Sequence, residues 1–110
     1  MVTALIAALS DNDAKVRAEA ARGLSHIGPA AASAAPALRQ QLQEEEETES
    51  RLRAAESLVR IAADPSAAIP VLQEAATDDS GQPQNRWWKA RAQRLLEDLD
   101  RTKTDRAGQE

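Results

Sequence analysis

The chain repeats itself, and that self-similarity limits its fold more than any other property. Ala4-Leu5-x-x-Ala8-Leu9 returns as Ala37-Leu38-x-x-Gln41-Leu42 and again as Val71-Leu72-x-x-Ala75-Ala76, at steps of 33 and 34 residues. A second series interleaves with the first. Ala20-x-x-x-Leu24-x-x-Ile27 returns as Ala54-x-x-x-Leu58-x-x-Ile61 and as Ala92-x-x-x-Leu96-x-x-Leu99, at steps of 34 and 38. Two apolar patterns per period describe a unit of two helices joined by a turn. One such unit cannot cover its own apolar face, so several must stack.

Composition supports helices. Aromatic residues are 2% of the chain, with no Phe or Tyr, so a sheet lacks its usual material. Ala, Leu, Glu, Gln and Arg dominate, and these are strong helix formers. A core of Ala and Leu buries little area per side chain, which demands close packing of one helix on the next. Apolar spacing and local stop signals predict helices over 3–10, 14–27, 36–46, 49–62, 70–77 and 86–99. Asp13 and Thr48 are suitable N-caps. Pro36 and Pro70 suit a first helical turn. Gly28-Pro29 and Asp64-Pro65 close second helices, and Asp78–Pro83 forms a turn. On the second helix Val16, Ala20, Gly23, Leu24 and Ile27 share one face. The fourth helix is apolar on both sides, as the middle element of a stack must be.

In these residues the chain resembles the HEAT-like repeats of bacteria and archaea, the type also found in phycobilisome-lyase-related proteins. The closest segment is Leu9-Ser10-Asp11-Asn12-Asp13-Ala14-Lys15-Val16-Arg17, followed by Ala20-Ala21-x-x-Leu24-x-x-Ile27-Gly28-Pro29. The resemblance spans residues 2 to 99 and fades in the third unit. It implies an all-α fold, an α-solenoid of about three antiparallel helix pairs covering units 1–33, 34–67 and 68–100, with the second helices lining a concave face. The tail 101–110 is polar and expected to be unstructured. The resemblance also implies a ladder in which a loop Asp pairs with a helix Arg of the adjacent unit. Asp11 and Arg17 match those positions, and Arg51 and Lys89 continue the basic side. Glu44 or Glu45, and Asp78 or Asp79, stand in on the acidic side.

No catalytic template fits. With no Cys and a single His, thiolate chemistry is excluded and His26 would have to serve any imidazole mechanism alone. It falls on a polar helix face, where a solvated histidine is the ordinary reading. One His with scattered carboxylates makes no metal site, and the four glycines never cluster into a phosphate loop. Glu44–Glu47 is a charge run at a helix end, the usual form of solvated surface. The expectation is therefore a non-enzyme without cofactors. Bilin lyases occur among the relatives, but no residue here supports that chemistry. No apolar run approaches the ~20 residues that span a bilayer, and the first residues lack a basic signal region, so cytoplasm is the default compartment.

Charge gives the functional clue. Net charge is −4, which argues against a nucleic-acid protein, yet the charges are sorted. The predicted second helices hold ten of the fourteen basic residues and five of the eighteen acidic ones, so they total +5 and the rest of the chain −9. One reading makes this face a steering surface for an acidic protein segment, with Arg22, Arg53, Arg60, Arg91 and Arg94 supplying charge and Trp87 an apolar anchor. The other makes it structural, through the ladder and same-helix pairs such as Glu56 and Arg60. Register places Trp88 in the core and Trp87 at the surface, where it is either a lid over the last layer or a binding hot spot. Binding to a nucleic-acid backbone is the alternative function. The chain also enters its first helix without a polar cap unit, and Ala7, Ala18 and Ala21 leave that side weakly apolar. It thus reads either as the C-terminal piece of a longer protein or as a chain that self-associates through this N-terminal layer.

Overall fold

A computed structural model describes the backbone of residues 2–46, 48–61, 66–78, 81 and 83–108, and the side chains of these except 83–85 and 100–108. The described residues form helices and no strands. In chain order they are α1 (Val2–Ala8), α2 (Ala14–Ile27), a 3-10 segment (Gly28–Ala34), α3 (Ala35–Glu44), α4 (Thr48–Ile61), α5 (Ile69–Ala76) and α6 (Pro83–Gly108). Contacts divide the chain into a first compact unit, Met1–Val71, and a second, Leu72–Glu110.

Local chemistry sets the boundaries in the first unit. Asp13 caps α2, its side chain accepting from the Lys15 N–H at 2.9 Å. Gly28 ends α2 at φ 75°, a left-handed conformation that glycine adopts without steric cost, and its N–H donates to the Leu24 carbonyl. The chain then runs straight into a 3-10 stretch, where the sequence had pointed to a plain break. It is two short pieces that meet in a kink at Ala31, φ −96° and ψ 22°; the small residues Ala30 to Ala34 permit the tight turns, and Pro29 has no N–H to lose. Pro36 sits in the first turn of α3. Asp64-Pro65, the expected stop after α4, and most of the Asp78–Pro83 turn lie outside the described residues.

Two helix pairs, α1 with α2 and α3 with α4, build the first unit, and its most extensive packing is second helix on second helix, α2 against α4. This rotates α2 away from the expected face. Ala18, Ala20, Ala21, Leu24 and Ser25 are buried, while Val16, expected in the core, is 37% exposed and Gly23 and Ile27 are half-buried. The physical cause is the difference between the neighbours. α1 is seven residues long and contributes no fully buried side chain, whereas α4 is buried almost all round, through Ser50, Leu52, Ala54, Ala55, Glu56, Ser57, Leu58 and Ile61. Ala18 and Ala21 are consequently core residues and not part of an open outer side. The Leu5 side chain of α1 packs onto Gly23 of α2, where a Cβ would lie 3.3 Å from the Leu5 methyl carbons.

In the second unit Leu72 is fully buried, and the side-chain amide of Gln93 on α6 donates to the carbonyl of Ala76 at the end of α5, 3.1 Å away. Trp88, Ala92 and Leu95 are the buried residues of α6. Leu95 takes the place expected for Leu96, which is half-buried together with Leu99. Spacings of four and three from Trp88 define the covered stripe. α6 continues to Gly108, past its expected end at residue 99, because no Gly or Pro interrupts residues 84–107 and their side chains are compatible with a helix.

Candidate functional site

Arg17 pairs with a carboxylate from the following helix pair, and that carboxylate is not the Asp11 side chain. Arg17 Nε donates to Glu45 Oε1 at 2.7 Å and Nη2 to Oε2 at 3.1 Å. Such a two-point guanidinium–carboxylate pair fixes both groups in direction as well as distance. Arg17 Nη1 donates to the carbonyl oxygens of Asp11 and Asn12 at 2.7 and 3.0 Å. The Asp11 carboxylate, expected as an ion-pair member, instead accepts the Asp13 N–H at 2.9 Å and shapes the turn before α2. Glu45 thus supplies the carboxylate, one of the two substitutes expected from the sequence. Its hydrogen bond to Arg17 raises the guanidinium pKa, against a smaller opposing effect of burial, with the charges of Glu45, Asp11 and Asp13 adding to the rise. Arg51 and Lys89 are half-buried, and Lys89 has no ion pair among the described residues.

Beside this strut lies an open cleft of about 690 Å³, lined among others by Leu9, Asp11, Arg17, Gln41, Glu44 and Glu46. Gln41 forms part of its floor, 7% exposed, with Nε2 donating to Ser50 Oγ at 3.1 Å and to Glu45 Oε1 at 3.3 Å. The cleft is lined by Asp11, Glu44, Glu45 and Glu46 against the single cation Arg17, and by none of Arg22, Arg53 and Arg60. It offers no nucleophile paired with a base, and no three His, Cys or carboxylate groups among the described residues are arranged to hold a metal ion.

Those cationic residues fall into two groups. In the first unit each is matched by an acid on its own helix. Arg22, half-exposed, lies 3.9 Å from Glu19. Arg53, whose side chain is only 13% exposed, lies 3.7 Å from Glu56 and 3.9 Å from Glu49. Arg60 reaches the other oxygen of Glu56 at 3.8 Å. Glu56 itself is 1% exposed. The sequence marks Glu56 and Arg60 only as a surface pair, and the signal for its burial is an acid in mid-helix with Arg three residues before and four after.

On α6 the balance differs. Residues 83–96 contain Arg86, Lys89, Arg91 and Arg94 and no acid. Arg86 and Arg94 are exposed, and neither has an ion pair among the described residues. Trp88 is 5% and Trp87 51% exposed, as register implies. The two rings meet edge to face with centroids 4.7 Å apart, and the Arg91 guanidinium lies over the Trp87 ring, 5.2 Å from its centroid. At 100° per residue Trp87, Arg91 and Arg94 share an arc of about 60°, next to the buried stripe of Trp88, Ala92 and Leu95, with the two centres about 100° apart. His26 is exposed on α2.

A family model described as HEAT repeats matches residues 2–92, which accords with the all-α, solenoid-type order of paired helices. No curated protein and no solved structure matches the chain. No helix among the described residues is long and apolar enough to cross a membrane.

Proposed function

The chain belongs to the HEAT-repeat family, and on that premise we propose that it is a non-catalytic binding module for an acidic protein segment. HEAT repeats generally serve as protein-interaction scaffolds and are typically non-catalytic. The observation that carries the reading is the acid-free run of four cations on α6, with a half-exposed tryptophan among them. A run of like charge with no acid among its members carries a net field towards an incoming anion. Trp and Arg are the residues that most often anchor an interface. Trp87, Arg91 and Arg94 are the principal contacts, with Arg86 beside them. Arg22, Arg53 and Arg60 contribute less, because Glu19, Glu49 and Glu56 already offset their charge.

Titrating the full chain into a fluorescein-labelled oligoglutamate peptide, read by anisotropy, tests this. Exchanging Arg86 and Arg94 together for Gln weakens binding about tenfold, whereas the same change at Arg22 and Arg60 alters it less than about twofold. A short DNA duplex competes poorly. Equal losses from the two pairs would remove α6 from its special position. A duplex that binds more tightly than the peptide, with affinity falling steeply as salt rises, would replace the protein partner by a nucleic-acid backbone.

A further inference from the structure

The chain carries both signs of charge in separate, uninterrupted blocks. Residues 40–50 hold five acids and no base, and residues 83–96 hold four bases and no acid. In the first block Glu45 is committed to Arg17, and Glu49 lies 3.9 Å from Arg53. Glu44 and Glu46 are exposed, have no ion pair among the described residues, and line the cleft beside the Arg17–Glu45 pair. Asp11 adds a third exposed carboxylate to the same cleft, with its Oδ1 accepting the Asp13 N–H.

A second observation shows that this cleft lacks a donor. Gln41 lines it and is 7% exposed, yet its side-chain Oε1 has no hydrogen-bond partner among the described residues. The amide Nε2 already donates to Ser50 Oγ and Glu45 Oε1. Turning the amide over would set Oε1 against the Glu45 carboxylate, so the oxygen keeps the unpaired place. A buried acceptor in this state, beside three carboxylates, suits a cation rich in N–H donors, and a guanidinium carries the most.

We infer that the acidic segment taken by α6 belongs to a second copy of the chain: Arg86 and Arg94 of one copy dock on the cleft that Asp11, Glu44 and Glu46 line in another. This names a partner for the acidic-segment reading and rests on it. Arg86 and Arg94 are exposed and have no ion pair among the described residues. They stand about 12 Å apart along the helix axis and about 80° apart around it. Arg86 has the stronger field of the two, because Glu97 and Asp98 follow Arg94. The two faces differ, so the contact runs head to tail, and each copy keeps one face of each kind for a further neighbour. Two chains of net charge −4 repel at long range, so local complementarity holds the contact, which is weak and sensitive to salt.

Sedimentation of the full chain at low salt tests the inference. The average mass of the parent rises with concentration above that of a monomer and falls back as salt is added. Arg86→Gln with Arg94→Gln weakens association about tenfold, and so, separately, does Glu44→Gln with Glu46→Gln. All four side chains are exposed, and circular dichroism confirms that helicity is kept. The two double variants, mixed in equal amounts, pair one to one and go no further, because each retains only the face that the other needs. A parent that stays monomeric at every concentration overturns the inference. So does a double variant that associates as the parent does, or a mixture that fails to pair. In those cases oligoglutamate binding to α6 leaves the acidic-segment reading standing, and loss of that binding removes both.

Discussion

Glu56 is a carboxylate with almost no contact with water, and Arg53 and Arg60 bracket it from either side along α4. A buried charge is tolerated only where opposite charge and hydrogen bonds replace its hydration. Removing it takes the nearer of two acids from Arg53, itself largely covered, and leaves the more exposed Glu49 beside it. Breaking a buried pair usually costs about 3–5 kcal/mol, but both contacts here are long and Arg60 is half-exposed, so Glu56→Ala should lower stability by about 2 kcal/mol. Urea denaturation followed by circular dichroism measures this, and an unchanged midpoint would mean that the carboxylate contributes nothing. The next residue gives the opposite sign. Ser57 is fully buried, and its hydroxyl has no hydrogen-bond partner among the described residues. Ser57→Ala removes an unsatisfied polar group and improves helix propensity, so it should stabilise by about 1 kcal/mol. The Ser57 role could not be read along the chain, and the only sequence signal for Glu56 is its bracketing by Arg53 and Arg60. Trp87 and Trp88 could be read, because the repeat register alone assigns one to the surface and the other to the core.

α2 shows which features of an element are local. Its ends follow from Asp13 and Gly28, chemistry that acts within a turn or two, and the predicted span of 14–27 coincides with the observed one. Its rotation is a different matter, because the covered face depends on which neighbour covers more. A sequence offers two candidate stripes here, one through Val16 and Ile27 and one through Ala18 and Ser25. The greater cover from α4 selects the second. Two substitutions separate these orientations. Val16→Ala should cost less than about 0.5 kcal/mol, as expected for a side chain at the surface. Ala21→Leu should cost about 1–3 kcal/mol by overpacking a site that is 0% exposed. A large loss at Val16 together with a tolerated Leu at 21 would reverse the assignment. Asp13→Ala, read in the same denaturation experiment, should cost about 1 kcal/mol through the lost cap.

The whole-molecule charge pattern shows why the site was only partly legible. Summed over three helices, +5 treats every cation as equivalent, yet Arg22, Arg53 and Arg60 each have an acid three or four residues away, whereas of the four cations in residues 83–96 only Arg94 does, in Glu97 and Asp98. That contrast lies in the sequence and is lost by adding the helices together. The fold was easier to read, because the repeat constrains it at several equivalent positions at once. With the two series interleaved, the interior members Leu24, Leu38, Leu58 and Leu72 are all fully buried, while the outermost, Leu5 and Leu96, are half-buried. Stability should follow the same hierarchy. With alanine contributing so much of the core, at Ala20, Ala21, Ala31, Ala34, Ala54, Ala55 and Ala92, each buried leucine carries a large share of the apolar area. Leu58→Ala should cost about 2–5 kcal/mol, from lost transfer energy plus the cavity left behind. That is a large fraction of the ~5–15 kcal/mol typical of a folded domain, so partial unfolding at room temperature is expected. Leu96→Ala removes less buried area and should cost about 1 kcal/mol. Thermal denaturation of the two variants beside the parent decides the matter. Equal losses would mean that register does not rank these positions, and a Leu58→Ala variant with an unchanged melting temperature would overturn the assignment of α4 as the covered centre of its unit.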